Sequence, residues 1–289
     1  MASSTRNASV LINGNNSAFA GTNSATIRDY SDFSDTVDLT NNVVTSYHTR
    51  MLGGADNVTL SNINIGGFSN KINGNLGDDT IKSKVGSLTR DFILGGSESD
   101  LIDLSNSLSG ADWQNGNRGN DKIIGANSEV MSILRGGSEN DTIIINANTK
   151  HIAVGDLGTD VINLQGLGRV VCRTDNGAAT KLASEADLII NFTGGNNNLF
   201  DKAYIPGVKS VADLSVEQIG TTTYLKSSNF TNGSTGDLYI AGFADRTKAQ
   251  IVGYINDKSI IAGSTADAAL AALNPTSFLN DFTLGGLFS

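Results

Sequence analysis

Five aspartates recur at nearly constant spacing: Asp79, Asp100, Asp121, Asp141 and Asp160, separated by 21, 21, 20 and 19 residues. Side chains at such a spacing would line one edge of a stacked structure, with neighbouring coils about 4.8 Å apart. Bare carboxylates that close repel, and a hard cation between successive turns would relieve the repulsion. Ca2+ suits the pattern, because it takes six to eight oxygens in flexible geometry and asks for no His or Cys. Mg2+ suits it less, since it demands a tight octahedron and gives up water reluctantly.

Each aspartate closes a phrase that opens with glycine: Gly74 to Asp79, Gly95 to Asp100, Gly116 to Asp121, Gly136 to Asp141, Gly155 to Asp160. An isoleucine stands two residues beyond each aspartate: Ile81, Ile102, Ile123, Ile143 and Ile162. A fixed period of this length marks a solenoid, in which each repeat is one coil stacked on the next. The isoleucines sit in short β-prone runs, and stacked in register they would form a parallel ladder with Ile on Ile inside. Apolar residues before several phrases (Ile72, Phe92 to Leu94, Ile133 and Leu134, Ile152 to Val154) predict a second strand per coil. A coil then reads strand, Gly-to-Asp turn, strand, return turn. The only prolines, Pro206 and Pro275, lie beyond the repeats, as a ladder that needs every strand N–H requires.

The phrases resemble the Gly-Gly-x-Gly-x-Asp-x-apolar-x nonapeptide of RTX (hemolysin-type calcium-binding) proteins, whose tandem repeats wind into a Ca2+-filled parallel β-roll. The resemblance implies an all-β fold, a parallel β-roll or β-solenoid with coils of about 20 residues. It also implies Ca2+ held by Asp79, Asp100, Asp121, Asp141 and Asp160 with the turn residues Gly77, Gly119 and Gly158. The sequence departs from the family in three ways, the first being that the second glycine is kept only at Gly96 and Gly137. An irregular segment replaces the second half-repeat, and the fourth-position glycine becomes Glu98 and Glu139 in alternate coils. Each glutamate would either add a carboxylate ligand or deform the turn and abolish that site. The competing reading is a metal-free solenoid whose aspartates cap turns.

Four regions follow. Residues 1–25 form a polar arm, disordered or capping; residues 26–192 form the RTX-like solenoid, with Asp35 and Gly53-Gly-Ala-Asp56 marking earlier, shortened coils. The stretch Leu167 to Ala183 breaks the period before Ala186 to Phe192 resumes it. Residues 193–262 carry short β-prone runs similar in order to the antiparallel segment that caps many RTX proteins. Residues 263–289 begin with a helical run, Thr265 to Leu273, and resemble an uncleaved type I secretion signal.

The net charge of −9 and a pI near 4.6 leave no basic stripe for nucleic acid. Cys172 is the sole cysteine, so no intrachain disulfide forms. No apolar run is long enough to span a membrane, and the opening Met-Ala-Ser-Ser-Thr-Arg lacks the apolar core of a cleaved signal. No catalytic set stands out. His48 and His151 belong to no nucleophile motif, and His151 reads as a strand-edge residue. Gly233 to Gly236 lacks the context of a nucleophile elbow, no Walker lysine follows a Gly-rich turn, and Trp113 with the tyrosines reads as packing. The expectation is a non-enzymatic, Ca2+-stabilised structural protein, secreted, and working in a surface lattice, matrix or adhesin. Its partners would be copies of itself or surface polysaccharide and protein. Two alternatives stay open: a virion appendage built on a β-solenoid, and a carbohydrate-binding or carbohydrate-acting β-helix.

Overall fold

Two eleven-stranded sheets run along the protein in the computed structural model. It describes residues 10–12, 26–30, 32–39, 47–60, 71–87, 91–108, 112–174, 177–194, 201–231, 235–255 and 260–261. The first sheet stacks Thr26–Asp29, Tyr47–Arg50, Lys71–Leu76, Phe92–Ser97, Trp113–Arg118, Ile133–Ser138, Lys150–Leu157, Leu167–Val171 and Lys202–Pro206 in parallel. The second stacks Thr36–Asp38, Asn57–Leu60, Thr80–Ser83, Leu101–Asp103, Lys122–Ile124, Thr142–Ile145, Val161–Leu164 and Asp187–Ile190. Each coil contributes one strand to each sheet, so the expected parallel β-solenoid is what the chain forms.

The register follows from the apolar period. Val58, Ile81, Ile102, Ile123, Ile143 and Ile162 stack in one inward column of the second sheet, and all are buried. Ile72, Ile93, Leu134 and Ala153 face them from the first sheet. β-Branched side chains fill such a pleated column with little rotamer loss, and burying one isoleucine fully contributes about 2 kcal/mol. The opposite face of the first sheet is buried as well: Phe92, Trp113, Ile133 and Ile152 are at most 2% exposed. There the Trp113 ring stacks on Phe92 from the coil before.

Both ends depart from the coil pattern. Val10–Ile12 pairs antiparallel with Thr26–Asp29; the rest of the 1–25 arm lies outside the described residues. At the other end Leu214–Ile219, Thr222–Asn229 and Thr235–Phe243 form the expected antiparallel segment, and the last of these joins Asp187–Ile190 in parallel. The meander thus continues the second sheet, while Lys202–Pro206 and Ile260–Ile261 continue the first. The helix Lys248–Tyr254 starts at a capping box made by Thr247 and Gln250. It packs Ile251 inward and brings Tyr254 against Phe192. The helical run and the secretion-signal resemblance expected within 263–289 lie outside the described residues. No described helix is long and apolar enough to cross a membrane.

Candidate functional site: two side-chain ladders

The chain passes from the first sheet to the second through the Gly-to-Asp phrase. In all five phrases the second and fourth residues have φ between 73° and 140°. The residue types at these two places alternate. Asn75, Asn117 and Asp156 take the second place where the fourth is Gly77, Gly119 and Gly158; Gly96 and Gly137 take it where the fourth is Glu98 and Glu139. A Cβ on Gly119 would strike the Glu98 carbonyl, and one on Gly96 the main chain of Asn75. Bulk in one coil therefore faces glycine in the next, and the structural repeat of the turn is two coils.

The glutamates leave the turn undeformed. Glu98 and Glu139 keep the positive φ of the glycines they replace, at 74° and 77° against 115° to 140° for Gly77, Gly119 and Gly158. Each Oε2 accepts the main-chain N–H of the glycine one coil back, Gly77 or Gly119, at 2.6 Å. The turn also begins earlier than the glycine pattern shows. Leu52 and Gly54 have φ of 71° and 100°, which places Met51 first and Asp56 last in a full-length turn. The shortened coil expected at Gly53 is corrected accordingly.

The five expected aspartates form one continuous ladder with Asp35, Asp56 and Asp187. The Asp56 N–H donates to Asp79 Oδ1, and the same 2.8 Å bond repeats from Asp79 to Asp100, Asp100 to Asp121, Asp121 to Asp141 and Asp141 to Asp160. The Asp160 N–H reaches Asp187 Oδ1 at 3.1 Å. Each carboxylate thus satisfies a main-chain donor that the turn leaves outside the strand ladder. Its other oxygen has no such use: Oδ2 of Asp56, Asp79, Asp100, Asp121, Asp141 and Asp160 is buried without a hydrogen-bond partner. A Cβ on Gly116 would run into Asp121 Oδ2 and meet the Gly136 carbonyl oxygen at 2.6 Å; Gly74, Gly95 and Gly136 stand in the same relation to their own phrases. The first glycine is fixed by this cradle for the second oxygen.

Burial without a partner raises these acids. Desolvation is the largest cause, offset in part by the main-chain hydrogen bond along the ladder. It pushes Asp141 up to about 9, Asp100 to about 8, Asp56, Asp79 and Asp121 to about 7, and Asp160 to about 6. Neighbouring carboxylates add to the rise: Asp79 and Asp121 for Asp100, and Asp121 and Asp160 for Asp141.

A second ladder enters the first sheet. The Asp91 N–H donates to Asp112 Oδ1 at 2.7 Å, Asp112 N–H to Ser132 Oγ at 3.2 Å, and Ser132 N–H to His151 Nδ1 at 3.1 Å. Further on, Gly168 N–H donates to Asp201 Oδ1 at 2.7 Å. His151 is fully buried, not at a strand edge as its sequence context had implied. Its Nδ1 accepts, so Nε2 carries the proton and donates to the Ala126 carbonyl at 2.8 Å. Burial holds its pKa below the ordinary histidine value. Nothing in the sequence period marks this ladder, because its rungs share a role and not a residue type. The sequence reading also missed a buried ion triad. Asp156 accepts Arg135 Nε and Nη2 at 2.6 Å each, and Arg173 Nη1 at 2.8 Å.

The fold and its ladders define a parallel β-solenoid stapled by side-chain-to-main-chain bonds. No family model matches the chain, and no curated protein matches it. Among the described residues, no three His, Cys, Asp or Glu side chains converge on a point. A cation at the aspartate ladder would therefore rest on single carboxylate oxygens from successive coils and on glycine carbonyls. The orphaned Oδ2 atoms and the glycine cradle fit such a hard-oxygen donor set.

Proposed function

We propose that this protein is a non-enzymatic structural solenoid that takes up Ca2+ along its aspartate ladder and serves in extracellular or cell-surface assembly. One observation carries the reading. From Asp56 to Asp160 each aspartate of the ladder spends one carboxylate oxygen on a main-chain N–H and leaves the other buried and unpaired. An ionised carboxylate in that state is costly, and six of them in a column call for positive charge. Oδ2 of Asp79, Asp100, Asp121 and Asp141, with the carbonyls of Gly95, Gly116, Gly136 and Gly155, would hold it. Ca2+ would supply charge compensation and coil-to-coil cross-linking. Extracellular Ca2+ modules commonly bind at about 0.1–1 mM, so stabilisation would switch on after export, in keeping with the RTX resemblance.

A second reading is a metal-independent solenoid such as a virion appendage. It is favoured by the completeness of the hydrogen-bonded ladder, which closes each turn without any ion. One experiment separates the two. Chelator-treated protein is followed by circular dichroism during heating, with Ca2+ or Mg2+ added back. A rise in Tm with Ca2+, half-maximal at about 0.1–1 mM and absent with Mg2+, supports the first reading. A Tm indifferent to both ions overturns it and leaves the second.

A further inference from the structure

One coil breaks the apolar stacking inside the solenoid. In the inward column of the first sheet, Gln114 stands between Ile93 and Leu134. It is fully buried, and both its Oε1 and its Nε2 lack a hydrogen-bond partner. Across the interior the same coil is deficient again. The place filled by Leu104 one coil earlier and by Ile145 one coil later is Gly125, and a Cβ there would meet the His151 ring at 2.8 Å. Two aliphatic side chains are thus missing from a single layer. Among the described residues most buried apolar side chains fall into two clusters, while Phe92, Trp113, Ile133 and Ile152 on the other face of the first sheet belong to neither. One runs from Val37 to Leu104 with Ala126; the other runs from Ile123 to Ile255.

We infer that the solenoid folds and opens as two cooperative blocks that meet at the Gln114 coil. In a stack where each coil touches only its neighbours, stability is close to a sum of coil and interface terms, and the weakest interface decides where the stack parts. Main-chain ladders cross this seam unbroken, since Trp113–Arg118 pairs on both sides. Ile123 still stacks between Ile102 and Ile143, and Trp113 between Phe92 and Ile133. What the seam lacks is the aliphatic side chain at Gln114 and at Gly125, and it carries an amide whose desolvation nothing repays. The N-terminal block is the weaker one. Among the described residues its cluster holds 11 buried side chains against 23 in the other, and the antiparallel meander and the helix Lys248–Tyr254 join the C-terminal block.

Hydrogen exchange of the full-length protein in sub-denaturing urea, read by mass spectrometry, tests this. Amides of Asn57–Leu60, Thr80–Ser83 and Phe92–Ser97 should exchange at least about tenfold faster than those of Thr142–Ile145 and Val161–Leu164. Gln114→Leu, which restores the aliphatic column, should shrink the gap to about threefold or less by protecting the N-terminal set. Gln114→Met gives the same readout with an unbranched side chain should leucine not be accommodated. Wild-type rates that agree across the two sets, or a gap unchanged in both variants, would overturn the two-block inference.

Discussion

The two ladders do the same main-chain work with different chemistry. The one entering the second sheet uses aspartate at every step from Asp35 to Asp187; the one entering the first uses Asp112, Ser132 and His151 in succession. A hydroxyl oxygen and an imidazole nitrogen accept the N–H in the mixed ladder at 3.2 and 3.1 Å, where the carboxylates from Asp79 to Asp160 in the uniform one do so at 2.8 Å. The job of closing a coil therefore asks only for an acceptor. From Asp56 to Asp160 the uniform ladder repeats in six successive coils a second oxygen that is buried without a partner.

The largest effect is expected where the second oxygen is held. Gly116→Ala would drive a methyl group into the space bounded by Asp121 Oδ2 and the Gly136 carbonyl. Overpacking of this kind should cost about 3 kcal/mol in urea unfolding. Ser132→Ala, by comparison, removes a rung of the mixed ladder and strands the Asp112 N–H, at a cost of about 1–2 kcal/mol. Equal costs would mean that the cradle is no tighter than an ordinary turn.

Next comes the charge. Asp121→Asn keeps an oxygen for the Asp100 N–H and removes the ionisable one. At Ca2+ about a hundredfold above its dissociation constant, a bound ion stabilises by about 2.7 kcal/mol. The variant should forfeit most of one such increment, read as a smaller Ca2+-induced rise in Tm. In chelator above pH 8 it should be no less stable than wild type, because it no longer buries a charge. A full Ca2+ response in Asp121→Asn would remove this carboxylate from the metal reading.

The pH profile sets the two ladders against each other. Aspartates raised to between about 6 and about 9 in the folded protein stand above their unfolded value of about 3.9. The folded state holds their protons more tightly. Their contribution is fully present below about pH 4 and is lost as pH climbs through that raised range. His151 acts in the other direction. Its folded pKa is lowered, so the neutral ring stabilises above about pH 6.5 and that share is lost as pH falls below it. Metal-free protein should therefore melt lower at pH 9 than at pH 6.5, and saturating Ca2+ should flatten that limb. His151→Gln should flatten the acid limb alone. A metal-free Tm that climbs between pH 6.5 and 9 contradicts the burial of the acids.

Much of this was legible in the residues. The Gly-to-Asp period located the ladder, the isoleucines two residues on located the inward column, and the β-prone runs after residue 186 located the antiparallel segment. What escaped had physical reasons. Met51 opens a turn without glycine, so the frame of that coil was misread. Asp112, Ser132 and His151 share only the ability to accept an N–H, and a search by residue type passes over them. The alternation of Gly with Glu was legible as two types of coil, but not its cause. In three dimensions it is the packing rule between successive left-handed positions.

The smallest predicted effect is the sharpest test of that distinction. Asp112→Asn sits in the mixed ladder and keeps an amide oxygen for the Asp91 N–H, the bond that Asp112 Oδ1 now receives at 2.7 Å. If an acceptor is all the mixed ladder requires, this variant should shift urea stability by about 1 kcal/mol or less and leave the Ca2+ dependence of Tm where it was. The paired variant Asp121→Asn makes the same chemical change in the uniform ladder, and there the Ca2+ dependence should fall. Identical behaviour of the two asparagine variants would show that both columns are turn staples and nothing more. Divergence in the Ca2+ response alone, with metal-free stabilities alike, would assign the excess oxygen of the uniform ladder to the cation.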